Sequence, residues 1–320
     1  MGVYHLAGLG TSPGAVSSPL TIIYLLLKAA EDGDDRAREF FKHSGEQGQE
    51  LKGAPEYLIL FTSEQILNEQ AKSQQEIRSK IFPNKKFGTS PLKVLVNYLK
   101  NLTDKLELDN IYNNLWIKGI YAIKVEYMDF QDCYRKINTV LNACRDKECW
   151  VNVQAGSNQI TSSLAISASI NLVAGKYYYV KQTDTRYLDP PNLTPSVLNT
   201  PRKYVNEILN SWGELTIFGL GINRIIEDVE QLFKNKEKVN RSEIRNILDE
   251  HGLSGVALNK LRPYLIMEGE TVSKSERFNE LKYLVETKIS GINNVSEMQR
   301  KMKEHGMLYE IGPETGEVES

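Results

Sequence analysis

Two short loops hold the residue types from which a metal-free phosphate or ribose site is made. They are Gly8-Leu9-Gly10-Thr11-Ser12-Pro13-Gly14 near the start of the chain and Ala155-Gly156-Ser157-Asn158-Gln159 near its middle. Thr11 and Ser12 in the first, and Ser157, Asn158 and Gln159 in the second, are neutral donors standing directly before a helical run. Amides at a helix N-terminus lack partners within the helix and carry partial positive charge, so they favour an anion. Gly8, Gly10 and Gly156 let a backbone approach closely. Taken singly, either loop reads equally well as a tight strand-to-helix turn. The first loop departs from the dinucleotide fingerprint: its spacing is G-x-G-x-x-x-G and Pro13 interrupts it. The second strand, Tyr57 to Thr62, ends without the acidic residue that would hold a ribose. A redox dehydrogenase is therefore disfavoured.

The elements that position these loops follow from the surrounding pattern. Tyr4 to Leu9, Tyr57 to Thr62, Trp116 to Met128, Cys149 to Gln154 and Tyr177 to Lys181 read as strands. Between them stand helical segments from about Ser18 to Ala30, Pro91 to Leu106, Asp129 to Asn142 and Thr161 to Ala174. Alternation of this kind predicts an α/β domain, a Rossmann-like doubly wound and mostly parallel sheet over residues 1–188. Ligands of such sheets sit beyond the carboxyl ends of the strands. Prolines at 190, 191, 195 and 201 predict a linker over 189–201, because proline continues neither a helix nor a central strand. The stretches 202–212, 222–233, 241–251, 255–265, 274–289 and 295–305 all read as helices, which predicts a mainly α-helical C-terminal domain over 202–311. Residues 312–320 read as a disordered acidic tail.

Composition sets bounds. A net charge of −2, with 25% charged and 41% hydrophobic residues, gives no bulk attraction to nucleic acid or membrane. Cys133, Cys144 and Cys149 are odd in number and lack metal-type spacing, so no metal or cofactor is expected and a reducing cytoplasm fits. The apolar run from Leu20 to Ala30 falls short of the ~20 residues that span a bilayer, and the N-terminus has no basic region of the signal-peptide kind. A cytoplasmic protein without a membrane partner is expected.

The most specific stretch is Asn152 to Lys181, NVQAGSNQITSSLAISASINLVAGKYYYVK. Together with the opening strand and its Gly/Thr/Ser loop, it resembles the CARF domain, the CRISPR-associated Rossmann fold of type III systems, over about residues 1–185. In that family the second loop is often Gly-Gly-Thr followed by Lys or Asn. Here it is Ala155 to Gln159 and lacks the Lys. The resemblance implies a homodimer binding cyclic tetra- or hexaadenylate, with Gly8, Gly10, Thr11, Ser12, Gly156, Ser157, Asn158 and Gln159 meeting the ring from both subunits.

The resemblance also implies an attached effector acting on RNA or DNA. A HEPN-type metal-independent ribonuclease would use Arg245 with His251 or Arg300 with His305, the imidazole moving a proton and the guanidinium holding a phosphate. A helix-turn-helix regulator would use Arg241 to Leu248, the turn at Gly252 and a recognition helix over 255–265 carrying Asn259, Lys260 and Arg262. Residues 196–320 hold 17 Lys/Arg against 20 Asp/Glu, which gives the region no basic surplus. The ribonuclease is slightly favoured. Ring cleavage by the sensing domain, through Thr11, Ser12 or Ser157, and a nucleotide-binding protein unrelated to CRISPR stay open.

Overall fold

Strand β1 (Val3–Leu9) is buried at every position, the signature of a strand covered on both faces. Around it, in a computed structural model, stand β2 (Pro55–Thr62), β3 (Gly119–Lys124), β4 (Cys149–Asn152) and β5 (Ala174–Val180), all parallel. The structure describes residues 3–41, 54–73, 77–82, 90–108, 117–171, 173–181, 184, 186–215, 222–253, 258, 261–283 and 285–319. The sheet runs β10-β3-β2-β1-β4-β5-β6 among these residues, with β6 (Trp212–Glu214) and β10 (Leu308–Ile311) antiparallel at its two edges. It is the mixed, mostly parallel α/β sheet that the alternation predicts. The chain moves outward from β1 through β2 to β3 and then returns to lay β4 on β1's other side. The crevice between β1 and β4 is thus a topological switch point.

Helices α1 (Gly14–Glu31), α2 (Asp35–Phe41), α3 (Glu64–Leu67) and α4 (Pro91–Leu106) follow β1 and β2. One face of the sheet packs on α1, α2 and α4, with Ile22, Leu25, Tyr98, Leu99 and Trp150 in that core. The other face packs on α5 (Phe130–Ala143) and α6 (Asn158–Asn171), through Ile137, Val140, Leu164 and Ala168.

The expected linker is instead part of the first core. Leu188 and Asp189 are fully buried, and α7 (Pro195–Asn199) and α8 (Val205–Ser211) lay Val197, Leu198 and Ile208 on the same apolar cluster. Pro195 and Pro201 sit in the first turns of α7 and of a 3₁₀ turn at Pro201–Tyr204, where the missing N–H costs nothing. They begin elements rather than separate domains. Asp189 holds the turn at 79–82: its Oδ2 accepts from Ser79 Oγ and Lys80 N, each at 2.6 Å, and from Ile81 N at 3.1 Å. Burial pushes its carboxyl above the usual range, against those three hydrogen bonds.

The expected helical domain also divides differently. Residues 222–283 have a core of their own, built by Ile225, Val229, Ile244, Leu248, Val272 and Phe278. They comprise α9 (Ile222–Leu232), β7 (Lys238–Asn240), α10 (Arg241–Glu250), the helical Leu258, the hairpin β8 (Leu265–Glu268) and β9 (Thr271–Lys274), and α11 (Phe278–Tyr283). The three strands form a small antiparallel sheet in the order β7-β9-β8. Where a helix was expected over 255–265, five of the eleven residues lie outside the described ones, Leu258 is helical, 261–264 form turns and Leu265 opens β8; among the described residues of 274–289, only those of α11 are helical. The hairpin hides in the sequence because Ile266 and Met267 interrupt the alternation that would mark a strand, Ile266 facing solvent. Past this module α12 (Val295–Glu304) returns to pack on α5, and β10 joins β3. The module is therefore an insertion within the sheet domain. The acidic tail is ordered as well: Val318 pairs with Ile311, Glu319 N donates to Glu310 O, and Val318 rests on the first core.

Candidate functional site

The two loops meet. Leu9, Gly10, Thr11, Ser12, Gly156 and Ser157 line one cavity of about 450 Å³ at the carboxyl ends of β1 and β4. That volume is in the usual range for small-molecule sites. Ser63 and Gln65, past the end of β2, and Tyr127, past β3, complete the opposite wall. A second cavity of about 460 Å³ adjoins it across Ser63, Gln65 and Tyr127, and its lining includes Asn68, Gln70, Lys124, Asp132 and Lys136.

Each expected site residue takes a definite part. Gly8 is buried, and a Cβ on it would stand 2.4 Å from Ala155 O and 2.7 Å from Gly156 Cα. Gly156, with φ +105°, would put its own Cβ 2.9 Å from Gly8 Cα. This pair sets the spacing of the loops, and Gly8 is shielded from a ligand. Gly10 has open space around it, Thr11 is exposed, and Ser12 is half-buried. Ser157 precedes α6. Its hydroxyl donates to Tyr127 O at 3.2 Å and accepts from Ile160 N at 3.4 Å. Asn158 and Gln159 are the first two residues of α6, so their amides have no carbonyl within the helix to bond.

Sequence reading missed Asn152, which is fully buried. Its Nδ2 donates to Ala15 O at 2.8 Å, and its Oδ1 accepts from Gln154 N at 2.9 Å. The cause lies on α1: Pro19 has no N–H for the carbonyl four residues back, which is that of Ala15. Asn152 supplies the absent donor and so pins the first turn of α1 to the end of β4. The signal was present in sequence as a proline inside a helix. Gln154 is half-buried, and its Oε1 accepts from Val180 N at 3.0 Å.

Charge gathers on the far side of the second cavity. Asp132 accepts from Glu126 N and pairs with Lys136 at 2.7 Å and Lys288 at 3.5 Å. Burial pulls its carboxyl up, but the Glu126 amide and the two ammonium groups outweigh that and hold it below the usual carboxylate range. The cysteines are buried, and burial pushes the Cys133 thiol up to about 12, so they are poor nucleophiles. Among the described residues no group of three or more His, Cys, Asp or Glu is placed to hold a metal ion. Nor is any helix there long and apolar enough to cross a membrane.

The two Arg–His pairs lie in different units. Arg245 and His251 belong to the inserted module; six positions apart on a helix of 3.6 residues per turn, they point about 120° apart. His251 caps α10, and its Nε2 meets Asp228 Oδ2 of α9 at 2.8 Å. Arg300 pairs with Glu304 at 2.8 Å, while His305 caps α12 with Nδ1 against Lys301 O. The His251 imidazole thus ties α10 to α9, and that of His305 closes its own helix. Of the residues expected to read DNA, Arg262 is exposed, whereas Asn259 and Lys260 lie outside the described residues.

No family model matches the chain. An uncharacterized protein of Archaeoglobus fulgidus is 35% identical over 320 residues, covering 97% of this chain and 98% of that one. The structure of Enterococcus italicus Csm6 bound to cyclic hexa-2′-fluoro-hexa-dAMP aligns with a TM-score of 0.36 at 14% identity, over 78% of this chain; the aligned region is 49% of the Csm6 chain, about half its length. Protein VC1899 of Vibrio cholerae aligns with a TM-score of 0.28 at 12% identity, over 88% of this chain and 64% of that one. Values this low carry no argument about ligand or activity.

Proposed function

The chain belongs to the same family as the Archaeoglobus fulgidus protein, and we propose that it is a cyclic oligoadenylate sensor of CRISPR antiviral defence whose ligand controls an inserted DNA-binding module. The observation that supports this most is the convergence of Thr11, Ser12, Ser157 and the N-termini of α1 and α6 on one crevice at the β1/β4 switch point. Neutral donors and helix N-termini together suit phosphates without fixed counter-charge. The sequence resemblance of residues 1–185 to CARF domains supports the cyclic nucleotide as the occupant. A homodimer, presenting the crevice twice about one axis, would match the two-fold symmetry of an even-membered ring. Met128, next to the crevice residue Tyr127, is an exposed apolar side chain that such a dimer could cover.

For the effector, DNA is the better-supported partner. The order helix, strand, helix, helical Leu258, hairpin, with strands arranged β7-β9-β8, follows the plan of a winged helix-turn-helix. The ribonuclease reading lacks such support, because His251 is paired with Asp228 of α9 and His305 is bonded to the last turn of α12. Residues 222–283 hold eleven basic and eleven acidic side chains, so DNA affinity would rest on local placement of Arg245 and Arg262 rather than on net charge.

Calorimetric titration of the full chain with cyclic tetra- and hexaadenylate tests the sensor, with anisotropy of labelled duplex DNA measured with and without the ring. Saturable binding of one ring, with one ring per two chains, is expected. Absence of binding to either ring at about 100-fold the micromolar affinities common for such sites would overturn the reading. Recovery of linear product would make the crevice a ring nuclease, and ring-activated RNA cleavage would restore the ribonuclease.

A further inference from the structure

The wall of the nucleotide crevice and the chain leaving the module are fastened to the same helix. Tyr127 lines both cavities, and its carbonyl accepts the Ser157 hydroxyl. One residue earlier, Glu126 N donates to Asp132 Oδ2 at 2.8 Å in the first turn of α5. The side chains of Asp132 and Lys136 keep 13% and 9% of their exposure, so this ion pair is held away from water rather than lying on the surface. Lys288, from the segment after the module, reaches the other oxygen of the same carboxylate at 3.5 Å.

Further along α5 the module's exit segment is held four more times. Tyr134 stacks on Tyr283, the last residue of α11, with ring centroids 5.5 Å apart. Arg135 pairs with Glu286 at 2.6 Å, and Asn138 Nδ2 donates to Glu286 O at 2.9 Å. Lys288 N donates to Thr139 Oγ1 at 2.9 Å. At the other end of α11, Phe278 is buried in the module's core. A shift of α5 therefore cannot leave Tyr283, Glu286 and Lys288 in place.

We propose that α5 is the lever between crevice and module, and that Asp132 is the positioning residue joining the crevice loop at 125–129 to it. Who occupies the crevice rests on the functional reading above; the lever itself does not. Displacing Tyr127 moves Glu126, the Asp132 carboxylate follows its hydrogen bond, and α5 transmits the movement to Tyr283 and 285–288.

The lever is tested first without ligand, by hydrogen exchange of the full chain as wild type, Tyr127→Ala, Asp132→Asn and the double variant. Tyr127→Ala is expected to change protection of amides 285–288 by at least about three-fold, and to change it by less than half as much when Asp132→Asn is already present. Additive effects would make Asp132 a merely structural residue and overturn the proposal, as such distant sites otherwise add. Lys288→Gln cuts the same joint from an exposed side chain, and serves if Asp132→Asn does not fold. With cyclic hexaadenylate, wild type should change its DNA affinity within the roughly 5- to 150-fold span of ordinary coupling, and either joint variant by less than about two-fold. Ring binding without any change at 285–288 in wild type would sink the lever while sparing the sensor. Failure of the ring to bind would sink the sensor, leaving the ligand-free exchange to decide the lever.

Discussion

Replacing Asn152 by Ala removes two hydrogen bonds at once, and they differ in burial and so in worth. The Ala15 carbonyl, in a residue 8% exposed and deprived of its helical donor by Pro19, is left without a partner. An unsatisfied buried acceptor costs about 1–3 kcal/mol. The Gln154 amide, in a half-buried loop, can turn to water and loses about 1 kcal/mol. Asn152→Ala should therefore destabilise by about 3 kcal/mol, a fall of roughly 6–12 °C in melting temperature for a domain of this size. Pro19→Ala tests the cause, because it restores an N–H to the Ala15 carbonyl from within α1. In that background the penalty for Asn152→Ala should shrink by about 1–2 kcal/mol, the carbonyl's share, so the double variant is more stable than the sum of the singles predicts. Melting the four proteins by circular dichroism measures the cycle. Additivity within about 0.5 kcal/mol would refute the claim that the proline creates the vacancy Asn152 fills.

Three further outcomes follow from the same geometry. Gly8→Ala must push the Ala155 carbonyl back by about 1 Å to restore ordinary contact, so it should cost about 2 kcal/mol net of unfolded-state entropy, while Gly10→Ala, with open space, should stay within about 0.5 kcal/mol; equal melting temperatures would contradict the loop spacing. Asp189 binds its proton more tightly folded than unfolded, so its protonated form adds stability that is complete below the ordinary Asp value of 3.8 and is lost as pH rises through the higher folded value. Urea midpoints of wild type should thus fall relative to those of Asp189→Asn over that window, and parallel curves would disprove the shift. Cys133, Cys144 and Cys149 should resist iodoacetamide in the native chain and react fully in urea; fast native labelling would mean the thiols are not buried.

The parallel sheet was legible because YHLAGL, YLILFT and CWVN are short apolar runs followed at once by loop residues, and because each helix between them begins at a cap or proline. The crevice was legible for the same reason: once strand order places β4 beside β1, the loops at Thr11 and Ser157 must be neighbours. Tyr127 and Asp132 were not legible, since they enter through the pairing of β2 with β3, which no local pattern states. Pro195 and Pro201 misled because proline marks the start of a helix as readily as the end of a domain. The hairpin at Leu265 to Lys274 escaped because only Leu265 and Val272 are buried there, too few to impose a period of two.

Because β10 reaches β3 only after the inserted module, the order of synthesis carries a consequence. Chains emerge N-terminal end first, so β1 to β6 and then the module leave the ribosome while the outer edge of β3 still lacks its partner. Through that interval the unpaired N–H and C=O groups of Gly119–Lys124 offer a template to any other nascent strand. Messages truncated anywhere between codons 284 and 308 should therefore yield chains with an adhesive sheet, and their fate would be self-association.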